Sequence, residues 1–271
     1  MSPRSAQDYG PDEDLALIVA LARAAGAKAQ VLRRAGLTTE FKSDRTPVSS
    51  ADLAVDALLK GELMAARPDY GWLSEETVDD PDRLKRRRVF VVDPIDGTRA
   101  FIKDKPWWVV SIGVVENGRP VAAAVFAPDL DESFEALSGK GARLNGAVIQ
   151  ASRTDRIEDC GMLADAQMLR HPAWPEPWPE MRIASRNSIA YRLCAVASGT
   201  YDATLALSSK SEWDLAAADL IATEAGCVVT DHQGQGIAYN RVVPTTRSLV
   251  CAGPALHELI LRRVKPIQLP N

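Results

Sequence analysis

The sequence predicts a mixed α/β (α+β) fold, with helices layered against mixed sheets in one compact chain of 271 residues. Two observations predict this class. Apolar residues recur at helical spacing near the start of the chain and again beyond residue 188, and short β-branched runs bounded by turn residues lie between these helical segments. With 46% apolar and 25% charged residues, the chain also has the composition of a globular protein with a large core.

Two helices begin the chain. Apolar residues at helical spacing predict the first helix over 12–35, and Gly36 ends it. Ser49 and Asp52 stand at the spacing of a capping box, which predicts a second helix that ends before Pro68.

The rest of the first half is predicted as strands, because its apolar runs are short and are separated by turn residues such as Asn117-Gly118. These strands cover 72–73, 89–92, 107–115, 120–128 and 132–137. A Pro- and Trp-rich stretch over 172–179 is predicted as a surface loop, although a recognition role stays open.

Strands and helices alternate in the second half. The predicted elements are strand 181–184, helix 188–198, strand 201–207, helix 211–225, strands 228–230 and 248–251, and helix 255–264. The weakest seam falls near 150–159. We therefore expect an α+β subdomain over 1–150 and an α/β subdomain over 151–271, packed as one chain.

Composition excludes several classes of protein. A net charge of −4 provides no basic field for a nucleic acid polymer. No stretch approaches about 18 uninterrupted apolar residues, so stable membrane insertion is not expected. Residues 1–8 lack the apolar region of a signal peptide, and the three histidines do not cluster as zinc ligands. The cysteines are widely spaced, which predicts reduced core thiols in a cytoplasmic protein: Cys160, Cys194, Cys227 and Cys251.

The most informative motif is Asp93-Pro94-Ile95-Asp96-Gly97-Thr98, directly after the strand at 89–92. Pro94 cannot continue the ladder, so the chain is expected to turn there. Carboxylates and a free carbonyl are oxygen ligands that Mg²⁺ prefers, while Gly97 allows close approach of an anion. The motif therefore indicates phosphoryl chemistry, although Asp-Pro and Asp-Gly are also ordinary turn formers.

Acidic residues elsewhere stand at comparable places. Glu75 and Glu76 follow the strand at 72–73, and Asp214 lies in the first turn of the helix at 211–225. Ligands of α/β proteins bind at such strand ends and helix N-termini. Taken singly, Asp214 and Asp52 are equally well explained as helix caps.

Taken together, these residues resemble the signature of the inositol monophosphatase superfamily, magnesium-dependent and lithium-sensitive phosphatases that include 3′(2′),5′-bisphosphate nucleotidases. The resemblance extends from about Lys42 to Gly226. It is carried by Asp52, Glu75-Glu76, the hexapeptide at 93–98, Trp213-Asp214 and Gly226. It implies a layered α-β-α-β-α sandwich of the sugar-phosphatase type with mixed sheets, and a homodimer.

The resemblance also implies a role for each residue. Glu75, Asp93, the Ile95 carbonyl, Asp96 and Asp214 would hold two or three Mg²⁺. Thr98 and Glu75, with Asp52 nearby, would orient the attacking water, and the amides of Gly97 and Thr98 would bind phosphate. Independent chemistry agrees, because two cations roughly 4 Å apart can activate water and stabilise a leaving alkoxide without a covalent enzyme intermediate.

The resemblance further favours one branch. Inositol phosphatases place a Glu shortly before Trp-Asp, where this chain has Ala206 and Leu207. CysQ-like nucleotidases carry a basic residue in a Ser-x-x-x-Lys-x-Cys helix, and this chain has Arg192 there; Lys42-Ser43-Asp44 and 96–102 are also CysQ-like. The predicted substrate is a small phosphorylated metabolite, most simply 3′-phosphoadenosine 5′-phosphate, contacted by Arg192, Arg186 and Lys210. Inositol 1-phosphate or a related polyol phosphate is the alternative, and Arg192 as a merely exposed helix residue also stays open.

Two rival functions stay open at this point. Haloacid-dehalogenase phosphatases also place Asp and Thr after a strand, but they need Asp-x-Asp-x-Thr, whereas this chain has Asp-x-x-Asp-Gly-Thr. A non-catalytic metal-dependent binding protein on the same fold is the second rival, and it is disfavoured because every expected side-chain ligand is still acidic.

Overall fold

The computed structural model describes residues 9–42, 46–172 and 174–269. Residues 1–8, used above for the signal-peptide expectation, lie outside this range, as do Ser43 and Asp44 of the CysQ-like segment and Ala173 of the Pro-rich loop.

The helices are α1 (Pro11–Ala35), α2 (Ser50–Ala66), α3 (Thr98–Ile102), α4 (Ala166–Leu169), α5 (Ile189–Ala197), α6 (Glu212–Glu224) and α7 (Pro254–Val264), with a 3₁₀ helix at Pro81–Lys85. The strands are β1 (Thr39–Phe41), β2 (Pro47–Ser49), β3 (Gly71–Ser74), β4 (Arg88–Asp96), β5 (Val109–Glu116), β6 (Arg119–Ala127), β7 (Glu132–Leu137), β8 (Ala142–Leu144), β9 (Ala147–Val148), β10 (Gly161–Leu163), β11 (Arg182–Ala184), β12 (Ala203–Ala206), β13 (Lys210–Ser211), β14 (Val228–Thr230), β15 (Thr245–Thr246) and β16 (Leu249–Ala252).

The first sheet has seven strands in the order β3-β4-β5-β6-β7-β8-β9. Only β3 and β4 are parallel, and every later pair is antiparallel. The Asn117-Gly118 turn joins β5 to β6, with both residues at positive φ. The hairpin predicted from that dipeptide is therefore present.

Both faces of this sheet are buried, and strand alternation separates them. In β4, Phe90 and Val92 face a core shared with α1 and α2, whereas Val89 and Val91 face a core shared with α5 and α6. α6 approaches β5 closely, because a Cβ on Gly113 would lie 3.2 Å from the Ala217 nitrogen.

The second sheet has five strands in the order β11-β10-β12-β16-β14 and is also mixed. Leu249 and Cys251 of β16 face α5 and α6, while Val250 and Ala252 pack on α7. The layers therefore run α1/α2, seven-stranded sheet, α5/α6, five-stranded sheet, α7. The predicted α-β-α-β-α sandwich with mixed sheets is confirmed.

The change from one sheet to the other falls between β9 and β10, where the sequence predicted a seam. Helix α6 nevertheless packs on β4, β5 and β6 of the first sheet. The division into subdomains at residue 150 stays a prediction.

Helix α1 is long and apolar enough to cross a membrane by length and composition alone. In the structure it packs on the sheet and buries Ile18, Ala22, Ala25 and Ala29 against that core. Core helices of soluble proteins pass the same test, so this finding is weak evidence for insertion.

The predicted end of β4 is wrong. We expected β4 to end at Val92 because Pro94 cannot donate to a ladder, but the strand continues to Asp96. Its pairing with β5 shifts register between Asp93 and Asp96, and β3 pairs with β4 only as far as Val92. Pro94 thus lies at an irregularity where it is tolerated.

Candidate active site

A cavity of about 860 Å³ lies where the end of β4 meets the N-termini of α5 and α6. Its lining includes an acidic group (Glu75, Asp93, Asp96, Asp165, Asp214), a basic group (Lys42, Arg99, Arg192, Lys210) and a mainly apolar wall (Met168, Ile189, Leu205, Ala206, Leu207, Trp213). The remaining lining residues are uncharged: Thr46, Pro47, Gly97, Thr98, Asn187, Ser208, Ser209 and Ser211. Segments that are far apart in the sequence therefore share one cavity.

Three carboxylates form the centre of this cavity. Asp93, Asp96 and Asp214 each offer an oxygen, and these oxygens all lie within 4.8 Å of one another. Burial, followed by the charges of Glu75, Asp96 and Asp214, raises the pKa of Asp93 well above its usual range. Burial and the charge of Asp96 raise the pKa of Asp214 in the same way. The cluster is therefore electrostatically unfavourable unless positive charge enters it.

Local structure holds these side chains in place. The Ile95 amide donates to Asp93 Oδ1 at 3.0 Å, closing a turn around Pro94. Asp214 accepts a bond of 3.2 Å from the Ser211 amide, as the helix-cap interpretation predicted. One carboxylate can thus both accept a backbone hydrogen bond and join the cluster, because its remaining oxygen lone pairs are free.

Asp96 has the most donors. Ser188 Oγ donates to its Oδ2 at 2.7 Å, and the amides of Ala190 and Ile189 donate at 2.6 and 3.3 Å. These bonds tie the end of β4 to the N-terminus of α5. Burial raises the pKa of Asp96 to about 6, and the three donors limit that rise. Sequence reasoning did not assign this role to Ser188.

The donor set fits a hard divalent cation. Over residues 9–42, 46–172 and 174–269, the hydrogen-bond donors to the three carboxylates are backbone amides and the Ser188 hydroxyl, with no basic side chain among them. Buried carboxylates without a paired cation are stabilised by metal coordination. Oxygen-only ligands favour Mg²⁺ over softer metals.

Glu75 lines the same cavity but is not part of the 4.8 Å cluster. Lys42, on the cavity wall, donates to Glu75 Oε1 and Glu76 Oε1 at 2.8 Å each. Burial alone would lower the pKa of Lys42, but the charge and hydrogen bond of Glu75 outweigh it and raise that pKa. Burial raises the pKa of Glu76 to about 7. This ion pair was not predicted, because its partners are 33 residues apart.

The turn carrying Glu75 is clamped from α2. Asp56 is buried, and its carboxylate accepts hydrogen bonds from Ser74 Oγ and, at 2.6 Å, from Thr77 Oγ1. These hydroxyls flank Glu75 and Glu76 on both sides. These bonds tie the turn to α2.

Asp52 and Thr98 are brought together although 46 residues separate them. Thr98 Oγ1 lies 3.1 Å from Asp52 Oδ1 and 3.2 Å from the Ile95 carbonyl. Asp52 also closes the predicted capping box through Ser49, and burial raises its pKa. Asp52 does not line the cavity and reaches it through Thr98.

Gly97 follows Asp96 in a left-handed conformation, with φ of 94°. A Cβ there would meet Ser188 Cβ at 3.1 Å and the Trp107 carbonyl oxygen at 3.2 Å, so only glycine fits without strain. The sharp turn presents the first residues of α3 to the cavity.

The three basic residues predicted as substrate contacts lie in different surroundings. Arg192 lines the cavity, and its Nε and Nη2 donate to the Arg186 carbonyl. Lys210 also lines the cavity and donates to Ser208 Oγ at 2.7 Å. Arg186 does not line it: its guanidinium lies 4.3 Å from the centre of the Trp107 ring. Stacking on an aromatic face satisfies the Arg186 side chain outside the cavity.

Two of the three clustered carboxylates are buried. Asp93 is 1% exposed and Asp96 6%. The continuation of β4 through Asp96 carries both residues inside the protein before the chain turns.

The fold and this acidic cluster define a layered α/β protein with a candidate metal centre. Residues 11–269 match the Inositol monophosphatase family, and the chain belongs to that family. The resemblance carried by the sequence motifs is therefore confirmed.

Relatives span several named activities. The chain is 30% identical to the 3′(2′),5′-bisphosphate nucleotidase CysQ of Aggregatibacter actinomycetemcomitans, covering 83% of this chain and 86% of that one. It is 31% identical to histidinol-phosphatase of Mycobacterium tuberculosis, covering 93% and 98%. Among solved structures it resembles Thermotoga maritima IMPase, with a TM-score of 0.82 and 25% identity over 94% and 97% of the chains. The chain is thus a phosphatase of this family, and the names of its relatives leave its substrate open.

Proposed function

We propose that this chain is a magnesium-dependent phosphomonoesterase that hydrolyses 3′-phosphoadenosine 5′-phosphate, as a 3′(2′),5′-bisphosphate nucleotidase. The observation that carries the catalytic part is the meeting of Asp93, Asp96 and Asp214 within 4.8 Å inside one cavity. Such a carboxylate set suits Mg²⁺, and phosphate-ester hydrolysis is slow enough to require strong charge neutralisation.

The three aspartates, with Glu75 and the Ile95 carbonyl, would hold the metal. Bound there, two or three Mg²⁺ would lower the pKa of a coordinated water and neutralise charge on the departing oxygen. The remaining steps belong to the protein. The amides of Gly97 and Thr98, on the turn after Asp96, would hold the phosphate.

Thr98 and Asp52 would orient the attacking water. When the Thr98 hydroxyl donates to Asp52 Oδ1, its oxygen lone pairs are free to accept a hydrogen bond from water. Asp52 fixes the direction of that donation because Ser49 holds its other oxygen. Glu75, which lines the same cavity, would accept a hydrogen bond from the other proton of that water.

The nucleotide assignment rests on the remaining cavity walls. Ala206 and Leu207, at the position where a polyol-binding Glu is expected, cannot hydrogen-bond ring hydroxyls through their side chains. Arg192 and Lys210 line the same cavity and would bind a second phosphate. The Arg186 carbonyl holds the Arg192 guanidinium, so we propose that Arg186 acts on the substrate through Arg192. The 30% identical CysQ relative supports this substrate.

Inositol-1-monophosphatase is the second candidate. A 30% identical relative, covering 74% of this chain, is named inositol monophosphatase 2 in Solanum lycopersicum. In line with family members, we further propose a cytoplasmic homodimer that is inhibited by lithium.

The test is kcat/KM for 3′-phosphoadenosine 5′-phosphate, inositol 1-phosphate and histidinol phosphate, measured with millimolar Mg²⁺. We expect the bisphosphate nucleotide to be preferred. Arg192→Ala should raise KM for it at least about tenfold, because a charge-assisted contact contributes about 1.5–3 kcal/mol, with little effect on a monophosphate. Equal effects on both substrates would make Arg192 structural, and a preference for inositol 1-phosphate would favour the second candidate.

Single-turnover hydrolysis in ¹⁸O-labelled water separates the remaining rivals. We expect label in the released phosphate and no aspartyl-phosphate. A trapped aspartyl-phosphate would favour a haloacid-dehalogenase mechanism, and no hydrolysis of any ester would favour a binding protein.

A further inference from the structure

A polar chain with buried charges at Arg83 and Glu212 joins two segments that carry acidic site residues; the Asp79 and Arg241 side chains in it are 38% and 40% exposed. It begins at Arg83 in the 3₁₀ helix Pro81–Lys85, whose side chain is 1% exposed. Arg83 Nε and Nη2 bond to both Asp79 carboxylate oxygens at 2.6 and 2.9 Å. Asp79 lies four residues after Glu75. The guanidinium is therefore anchored to the segment that follows β3.

The opposite side of the same guanidinium holds a distant loop. Arg83 Nη1 donates to Asn240 Oδ1 at 2.6 Å, and Nη2 donates to the Arg241 carbonyl at 2.9 Å. These contacts cross 157 and 158 residues of sequence. The loop at 240–241 is thus fixed to the β3 side of the cavity.

Glu212 holds that loop from the other direction. It is the first residue of α6, two residues before Asp214, and its side chain is 1% exposed. Its Oε2 accepts from the Asn240 amide at 2.6 Å, and its Oε1 accepts from the Arg241 amide and Nε at 3.2 and 3.1 Å. The loop therefore bridges the Arg83 guanidinium and the N-terminus of α6.

Stability alone does not account for this arrangement. Burying charges such as Arg83 and Glu212 is expensive, and well-packed apolar residues in their place are often as stabilising. Hydrogen-bonded charges fix geometry more tightly than apolar contacts do, because both partners must keep their direction. The chain links the segment after Glu75 to the helix that carries Asp214, which is 139 positions further along the sequence.

We propose that Arg83 and Glu212 are positioning residues, which set the separation of Glu75 and Asp214 through the loop at 240–241. This inference rests on the proposed function only in taking Glu75 and Asp214 as ligands of a shared metal site. Neither residue touches substrate. Their loss should therefore weaken metal binding rather than the chemical step at saturating metal.

The test compares full-length Arg83→Met and Glu212→Gln with wild type. Glu212→Gln is nearly isosteric but can turn an amide donor toward the Asn240 N–H. Calorimetric titration with MgCl₂ alone should show an affinity about tenfold weaker in each variant, as for other residues that orient metal ligands. The Mg²⁺ concentration for half-maximal phosphatase activity should rise equally, with kcat at saturation within about twofold of wild type.

Two further variants protect this test against general destabilisation. Asn240→Gly keeps the positive φ of 58° and removes only the side-chain bond to Arg83. It should therefore lower the Mg²⁺ affinity less than Arg83→Met and Glu212→Gln do. Arg67→Met breaks a buried ion pair of 2.8 Å with Asp14 in another part of the fold. It should lower the melting temperature without changing Mg²⁺ affinity.

The outcomes are distinct. Unchanged Mg²⁺ affinity in both Arg83→Met and Glu212→Gln would overturn the inference, as would affinity losses that simply add in the double variant. A shared bridge predicts that the double variant is hardly worse than either single one. A wild-type protein that binds no Mg²⁺ and hydrolyses no ester would instead refute the proposed function.

Discussion

Asp93→Asn should stabilise the metal-free protein while abolishing activity. The change removes one negative charge with almost no change in shape. At 4.8 Å, the limit within which all three oxygens lie, two full charges repel by about 3.5 kcal/mol at an effective dielectric constant of about 20. The raised pKa of Asp93 means that the metal-free cluster carries less than its full charge. The expected gain is therefore smaller, about 1–3 kcal/mol, or about 2–8 °C in Tm for a chain of this size.

Magnesium should reverse the order of stability. A bound metal stabilises the folded protein by RT ln(1 + [Mg²⁺]/Kd), and the variant, which lacks one proposed ligand, should have a higher Kd than wild type. Activity should fall at least about 100-fold, because the metal provides several kcal/mol of transition-state stabilisation. The assay is thermal unfolding in EDTA and in millimolar MgCl₂, beside steady-state hydrolysis. Asp104→Asn, at a side chain that is 87% exposed, is the matched control and should change neither quantity.

Two results would refute this reasoning. A metal-free Asp93→Asn protein that melts below wild type would show that the carboxylate is stabilising in its own right. Equal stabilisation of both proteins by MgCl₂ would show that Asp93 is not a metal ligand.

Other predictions concern the core. Burial raises the pKa of Asp219 to about 6 despite a hydrogen bond of 2.6 Å from Tyr239, so the folded chain holds that proton more tightly than the unfolded chain. The protonated Asp219 carboxyl therefore contributes to the free energy of unfolding below about pH 4, and this contribution is lost as pH rises to about 6. Between these two pH values the free energy of unfolding, measured with urea, should fall by about 2–3 kcal/mol more in wild type than in Asp219→Asn. Gly26→Ala should lower the free energy of unfolding by about 1–3 kcal/mol, because the new Cβ would lie 2.8 Å from Phe126 Cδ1. Gly61→Ala should raise the free energy of unfolding by about 0.5–1 kcal/mol, because the new Cβ has no neighbour within 4 Å and alanine favours a helix. Equal effects of the two alanines would show that helix propensity, not packing, decides both.

Much of the fold could be predicted because its patterns are local. The strand at Glu132–Leu137 was predicted to the residue, and helix α6 within one residue at each end, since apolar period and turn chemistry lie within the segment itself. The end of β4 was not predictable in this way. Whether Pro94 stops a strand depends on which neighbours still pair with it, and β3 ends at Ser74.

In the site, too, residues in local motifs could be predicted, whereas contacts that depend on the tertiary fold could not. Asp93, Asp96 and Asp214 were chosen from motifs, and the structure brings them together. The ion pair of Lys42 with Glu75 could not be read from the sequence, because it requires Lys42, next to the end of β1, to meet the turn after β3 at one cavity wall. The hydrogen bond from Ser188 to Asp96 was also missed, although Ser188 at a helix start was a signal that its hydroxyl would face a polar partner.

The unequal surroundings of the three aspartates indicate how the site tolerates its own charge. Asp96 receives three donors from the start of α5, whereas Asp93 receives one amide from its own turn. Donors to the ionised form lower a pKa, so Asp96 keeps its charge more readily than Asp93 does. In the proposed metal site, Asp96 would then be the preformed ligand, and the cost of assembling the site would be concentrated on Asp93 and Asp214. Because the donors to Asp96 come from the start of the helix that carries Arg192, the same bonds also fix the position of Arg192 relative to the acidic cluster.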